Sequence, residues 1–465
     1  MSDFLFDGFD EVSAKQWKQK IQYDLKGADY NETLVWQSPE GLNVKPFYHQ
    51  DDFKEDFQPI PGQPQSWAIA QQVFIDDEKI ANNIALDALE RGAEAIIFTA
   101  AEDFDPRIVF KDFPFETATI YFNLTFLSEA FYTKLIKFFS HLPANSVGKN
   151  ATVFYNIDII GNLTRTGNWF HNLKKDHEIL ENIFQKYASE NLLSIDATLY
   201  QNAGANTVQQ LAYALAHANE YLNHEFVTSS AVERSSLTFN LAIGSNYFFE
   251  IAKIRALRKL YATLAKEYNL KETCHIIATP SKRDKTLYDF NVNLLRSTTE
   301  CMSAVLGGAD TVCNLSYDAL YHKSNEFGER ISRNQLLILK YESYFDAVSN
   351  PSDGTYYIEN VTDELAEKAL QLFKEIEKGG GFLKQLKEGI IQKKIKESAE
   401  KEQQLFDSGK LKLLGTNYHP NKKDRMKDDL ELFPFVKNNP VKTIIAPIVE
   451  KRLAEKVEQE RISNE

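Results

Sequence analysis

The sequence predicts an α/β protein: a (β/α)8 TIM barrel with an N-terminal extended arm and a helical C-terminal tail. Three observations carry this. Strand-like runs rich in β-branched and aromatic residues alternate with helical patterns, giving eight strands over roughly 300 residues. Several runs are apolar almost throughout, as parallel strands covered on both faces are. The chain, at 465 residues, is long enough for such a barrel plus extensions.

The arm comes first. An amphipathic helix is expected around Ser13–Leu25, followed by the extended segment TLVWQSPEGLNVKPFYHQDD, in which Pro39-Glu40-Gly41 signals a turn and Pro46 discourages helix. IPGQPQ at 60–65 marks a boundary. After a helix near 76–91, strands are expected at 93–100, 117–124, 151–160, 192–200, 237–246, 272–280 and 309–317, with a shorter eighth, YFDAVSN, at 344–350. Between the first two of these lies only AEDFDPRIVFKDFPFE, which reads as a loop or short strand.

Helical patterns fall near 129–141, 173–189, 248–267, 286–306, 330–343 and 362–378. The clearest is Thr207–Leu222, where Thr207 and Gln210 have capping-box spacing. Gly379–Gly381 reads as a helix stop, the alternative being a phosphate cradle. The Lys/Glu-rich stretch 383–404 reads as a solvated helix face, and AEKVEQER as a last helix. The division is 1–60 arm, 61–400 barrel and 401–465 linker and tail.

Composition excludes several classes. A net charge of −13 argues against a nucleic-acid partner, since phosphates are bound by excess Lys and Arg. No apolar run approaches the ~20 residues of a membrane helix. The acidic N-terminus does not resemble a secretory or transit signal, so a cytoplasmic location is expected. Cys274, Cys301 and Cys313 are too scattered for a disulfide framework or zinc site and read as reduced thiols.

A barrel's chemistry forms at the carboxyl ends of its strands. Here those ends are small, polar and mostly neutral. Asp158 and Asp318 are candidates for acid/base work, and each is also suited to capping a helix. His275, inside an apolar strand, reads as a hydrogen-bonded core residue. His171, His177, His217 and His224 lack partners at metal spacing, so no metal site is expected. Arg255 and Arg258 lie one turn apart on a helix; they are suited to holding a phosphate or to helix-surface ion pairs. There is no phosphate-binding glycine motif and no nucleophile elbow.

Several blocks carry a resemblance. NETLVWQSPEGLNVKPFYHQDD resembles the N-terminal segment of methylmalonyl-CoA mutases. LAIGSNYFFEIAKIRALRKLYATL is similar to that family's fifth barrel strand and helix. AVLGGADTVCNLSYDAL, ERISRNQLLILKYES, VSNPSDGTYYIENVTDELAEKAL and EKGGGFLKQLKEGIIQKKI continue the similarity in order, over about residues 10–420.

The departures are as informative. Where active members carry Tyr-His-x-Gln-x-Ala-Gly-Ala, this chain has Thr198-Leu199-Tyr200-Gln201-Asn202-Ala203-Gly204-Ala205. The Tyr and His positions are Thr198 and Leu199, and leucine cannot hydrogen-bond a thioester carbonyl. No Arg-Gly-Pro-Tyr element precedes WAIAQQV, and the long loop after the family's first barrel strand is cut short. No Asp-x-His-x-x-Gly cobalt-ligating motif is present, and the ~45 residues after 420 are too few for a cobalamin domain.

The resemblance therefore implies the small subunit of a heterodimeric mutase that interconverts methylmalonyl-CoA and succinyl-CoA. It implies no catalytic residue in this chain, with Gln201, Arg255 and Arg258 as candidate substrate-binding residues. Adenosylcobalamin is expected on the large subunit, the implied partner, and not on this chain. The aromatic arm, with Phe4, Phe6, Phe9, Trp17, Leu34 and Trp36, is expected to wrap that partner. Two alternatives stay open: a CoA-thioester-binding regulatory barrel using Arg165, Arg255 or Arg258, and a stand-alone enzyme using Asp158, Asp318 or Lys282.

Overall fold

The computed structural model describes residue 8 and residues 10–53, 56–142, 152–228, 237–437 and 441–465. Eight parallel strands close into a barrel in chain order. They are β1 Ala68–Ile75, β2 Ala95–Ala100, β3 Thr119–Leu124, β4 Val153–Ile157, β5 Asn191–Asp196, β6 Thr238–Ile243, β7 His275–Pro280 and β8 Thr311–Cys313. Closure sets Thr311 of β8 opposite Ala68 of β1.

The strand count agrees with the sequence, but one member differs. YFDAVSN at 344–350 is not a strand; it follows a π-helical turn at Ile338–Glu342. Its place is taken by β1. Gln71 and Gln72 interrupt the apolar run of β1 and hide it in the sequence, yet a barrel strand accepts an amide on either face when the amide is bonded. Gln72 Nε2 donates to Thr99 Oγ1 at 3.0 Å, and Gln71 accepts from Arg333. The YFDAVSN loop packs on the approach to β1, where Trp67 Nε1 donates to the Phe345 carbonyl at 3.2 Å. LAIGSN thus carries the sixth strand of the barrel, one place later than the sequence count.

The helices that bear on the site are α1 Glu78–Glu90, α2 Ile159–Thr166, α3 Thr198–Asn202, α4 Thr207–Leu222, α5 Tyr247–Glu267, α6 Val292–Gly307, α7 Glu326–Leu337, α8 Tyr356–Lys378 and α9 Ile390–Asp407. α6 starts six residues later than expected, and α7 and α8 start four and six earlier; other departures are local. The stretch between β2 and β3 holds a short helix, Pro106–Val109, nucleated by Asp105, whose carboxylate accepts from the Arg107 N–H at 3.0 Å. The strand expected over 192–200 stops at Asp196, so Thr198 and Leu199 lie on the helical turn α3. The capping box of α4 is Asn206 with Gln209, one residue earlier than the Thr207/Gln210 spacing, because the chain turns from extended to helical at Asn206. Gly380 and Gly381, at φ 102° and 89°, end the helical run after α8, a conformation that glycine adopts without strain.

The main core lies between the outer faces of the strands and the helices. A second cluster, Ala70, Ala95, Ile97, Tyr121, Phe154, Ile277 and Cys313, fills the lower lumen. In the arm, Trp17 stacks on Phe47 with ring centroids 5.2 Å apart, and Trp36 meets Phe249 edge-on. Phe4, Phe6 and Phe9 lie outside the described residues. All three cysteines are buried free thiols, and burial pushes Cys274 and Cys313 up to about 12. No helix among the described residues is long and apolar enough to cross a membrane.

Candidate functional site

Side chains alternate across a strand. Two residues beyond the apolar lumen positions, the inward places are Gln72, Thr99, Asn123, Asn156 and Thr279. They form a polar, uncharged lining at the carboxyl end. Asn156 Nδ2 approaches Asn123 Oδ1 at 3.4 Å, while Asn156 Oδ1 is buried without a hydrogen-bond partner. Asn156 has φ 46° at an irregularity in the β4–β5 register; asparagine tolerates that conformation better than most residues. Phe74, two residues past Gln72, is 54% exposed, so this mouth is open to solvent.

The floor of the lumen is closed. Tyr121 Oη lies 2.9 Å from His275 Nε2 and 2.7 Å from Thr311 Oγ1, and Phe154 stacks on the imidazole at 4.3 Å. Burial holds His275 below the ordinary imidazole value.

The α3 turn stands on the rim. Asp196, the last residue of β5, accepts from the Thr198 N–H at 3.2 Å and from the Thr198 hydroxyl. Arg165 of α2 donates to Asp196 at 2.5 Å. Leu199 is buried in the main core. Gln201 accepts from Gln210 Nε2, which also donates to the Ala205 carbonyl at 2.8 Å. Lys253 Nζ donates to Gln210 Oε1 at 3.0 Å and to the Ala242 carbonyl at 2.8 Å, and pairs with Glu250. Gly204, at φ 95°, allows close packing: a Cβ there would lie 2.6 Å from Ala399 and 2.8 Å from the Arg283 guanidinium.

A second buried cluster supports the turn. Asp158 caps α2 by accepting from Gly161 N at 2.7 Å, and it also accepts from Asp196 N and the Tyr221 hydroxyl. His217 joins its Nε2 to Asp158 at 3.0 Å and its Nδ1 to the Tyr200 hydroxyl at 3.0 Å. Burial alone would raise the Asp158 pKa, but His217 and the two backbone donors outweigh it, and the carboxyl sits below its ordinary value. The sequence indicated Asp158 and its capping role; it gave no sign that Tyr200 and His217, on different helices, would converge there. Similarly, Lys285 meets Asp284 at 2.6 Å and Glu300 at 2.7 Å in a buried cluster that spacing does not reveal.

The other named residues lie elsewhere. Arg255 is fully buried and pairs with Asp353 and with Glu359. Arg258, also buried, donates to the carbonyls of Gly62, Cys274 and Gly308 and to Asp310 at 2.7 Å. Those partners precede β1, β7 and β8, so Arg258 serves the amino end of the barrel, away from the mouth. Neither arginine is brought to Gln201. Asp318 organises the loop before α7, accepting from Asn325 Nδ2 at 2.8 Å, while Asn325 caps that helix. The Lys282 backbone N–H donates to Asn202 at 2.9 Å.

The tail runs along the carboxyl face. Ile444 N donates to Gly167 O at 2.9 Å, Ile448 N to Thr164 O at 2.8 Å, Lys451 N to Asn202 O at 3.1 Å and Leu453 N to Arg283 O at 2.9 Å. Glu450 completes the rim by pairing with Arg165 at 2.7 Å. Among the described residues, no three His, Cys, Asp or Glu side chains are grouped to hold a metal ion.

Fold and site together define a closed (β/α)8 barrel with a neutral mouth, a rigidly supported turn beside it and a C-terminal strap across its rim. A family model for methylmalonyl-CoA mutase matches residues 90–460, strap included. The chain belongs to the methylmalonyl-CoA mutase family. It is 33% identical to the methylmalonyl-CoA mutase small subunit of Porphyromonas gingivalis, over 90% of this chain and 71% of that one. A small subunit from Streptomyces virginiae is 28% identical over 83% of this chain and 67% of its own. The methylmalonyl-CoA mutase of Rhizobium meliloti is 27% identical over 91% of this chain and 66% of its own.

Proposed function

We propose that this chain is the small subunit of a heterodimeric, adenosylcobalamin-dependent methylmalonyl-CoA mutase, with catalysis of the methylmalonyl-CoA/succinyl-CoA interconversion in the large subunit. The observation that carries this is the α3 turn. At the two positions that resemblance assigns to the reactive Tyr and His stand Thr198, tied to Asp196, and Leu199, sunk in the core. Neither is titratable near neutral pH, and general acid/base work needs such a group within reach of substrate. The small-subunit relatives support a large-subunit partner.

The residues at the mouth do not fit an axial cobalt ligand. His275 is bonded to Tyr121 below the neutral lining, and His217 is enclosed between Asp158 and Tyr200. In this reading Arg255 and Arg258, buried and paired with carboxylates within the chain, hold the frame, and Gln201, whose Oε1 accepts from Gln210, anchors the turn. The test is co-expression with the large subunit. The isolated chain should show no mutase turnover, and the mixture a stable 1:1 complex with activity. Turnover by the isolated chain would sink the proposal.

A further inference from the structure

Five arginines are buried among the described residues: Arg255, Arg258, Arg283, Arg333 and Arg452. Four of them hold a carboxylate: Arg255 with Asp353 and Glu359, Arg258 with Asp310, Arg283 with Glu402 and Arg452 with Glu458. Arg333 holds none. Its partner among the described residues is the neutral amide oxygen of Gln71, and its Nε is buried without a hydrogen bond. Asp87 and Glu329 act on Arg333 only at longer range, with no contact ion pair, and burial lowers the pKa of its guanidinium; a buried charge without a contact partner is costly.

Arg333 lines a groove of about 390 Å³ between α1 and α7, outside the barrel. The other charges there are mostly engaged. Asp87 pairs with Arg91 at 2.7 Å. Glu329 accepts from Ser324 Oγ at 3.1 Å, and burial draws its carboxyl toward the neutral form. Glu326 is exposed in the first turn of α7. Arg330 lies over the Phe327 ring, 5.6 Å from its centroid, and has no carboxylate partner among the described residues. Of the three arginines lining the groove, Arg91 is paired with Asp87, which leaves Arg333, buried, and Arg330, exposed, without a contact carboxylate.

We propose that this groove binds a small organic carboxylate, held by Arg333 at the floor and by Arg330 at the rim. The planar guanidinium fork matches a carboxylate in shape and charge. The volume lies near the lower end of the ~300–1,000 Å³ range of small-molecule sites. The inference does not depend on the subunit assignment.

The test titrates the full chain with sodium malonate, and separately with inorganic phosphate, at constant ionic strength set by chloride. Calorimetry should show saturable one-to-one malonate binding, and the melting temperature should rise with it. Arg333→Gln should weaken binding about tenfold or more, and Arg330→Gln by a smaller factor. Ile84→Trp, at a half-exposed groove position, should fill the space and abolish binding while leaving the fold intact. It keeps the test decisive if Arg333→Gln does not fold. No saturable malonate binding, or binding unchanged in Ile84→Trp, would overturn the proposal. So would a preference for phosphate, or loss of malonate binding once the large subunit is added, since a partner side chain would then be the anion.

Discussion

The mouth of the barrel and the shell beneath α3 are both polar, but their polar groups behave differently. In the shell, Asp158, His217, Tyr200 and Tyr221 answer one another, as do Gln201, Gln210, Lys253 and Glu250. At the mouth, Gln72 is exposed and Thr99 and Asn123 half-buried, with few bonds among them, and Asn156 is buried with its Oδ1 unbonded. The shell's charges are sealed, where low polarisability makes each pairing strong, while Arg165, Asp196 and Glu450 pair half-exposed on the rim. The lining at Gln72, Thr99, Asn123, Asn156 and Thr279 is neutral. The shell thus holds the turn firmly in place, and the turn carries Thr198 and Leu199, neither of them titratable near neutral pH.

The largest effect should come from opening the shell. Lys253→Met leaves Glu250 buried without its partner, and leaves Gln210 Oε1 and the Ala242 carbonyl without their donor. A loss of about 3–5 kcal/mol is expected, read by urea denaturation. A loss below about 1 kcal/mol would mean that water reaches this network, and the contrast with the mouth would fail.

Next comes Leu199→His, which writes the family's histidine back into the turn. The imidazole would enter the main core at a position 1% exposed. The expected cost is about 2–3 kcal/mol, from lost apolar burial and an unmatched polar group. No turnover should appear in the isolated chain, even when Thr198→Tyr is added. Turnover in that double variant would show that two side chains, and not the surrounding architecture, separate this barrel from an active one.

These contrasts also mark what the sequence could reveal. Periodicity exposed seven of the eight strands because they are buried on both faces. It missed β1, whose Gln71 and Gln72 are matched only by partners far along the chain, Arg333 and Thr99. It placed Thr198 and Leu199 on a strand because Ile195–Leu199 alternates and ends in a β-branched residue and a leucine. Only Asp196, by capturing the Thr198 N–H, shows where the strand stops. The neutral character of the mouth was legible, since strand ends are short and local. The triad of Asp158, His217 and Tyr200 was not, since long-range convergence leaves no trace in spacing.

A smaller effect probes the floor. Because burial depresses the His275 pKa, the folded chain binds fewer protons than the unfolded one around the ordinary imidazole value of about 6.5. The stabilisation is present above that value and is lost as pH falls through the depressed one. His275→Gln should flatten this part of the stability–pH curve. Some slope should survive, because His224 is also depressed, by burial and by His177. A variant as steep as the parent would place the titrating group elsewhere.

The smallest effect uses one chemical group in two places. Gln72 and Gln210 carry the same amide. Gln72 is exposed at the mouth and makes one bond, to Thr99; Gln210 is buried and links Gln201, the Ala205 carbonyl and Lys253. Gln72→Ala should change stability by no more than about 0.5 kcal/mol, because water replaces the lost bond. Gln210→Ala should cost about 1–3 kcal/mol, because its former partners stay buried and unmatched. Denaturation of the two variants side by side measures the contrast directly. Equal losses would mean that the mouth is as closed to water as the shell.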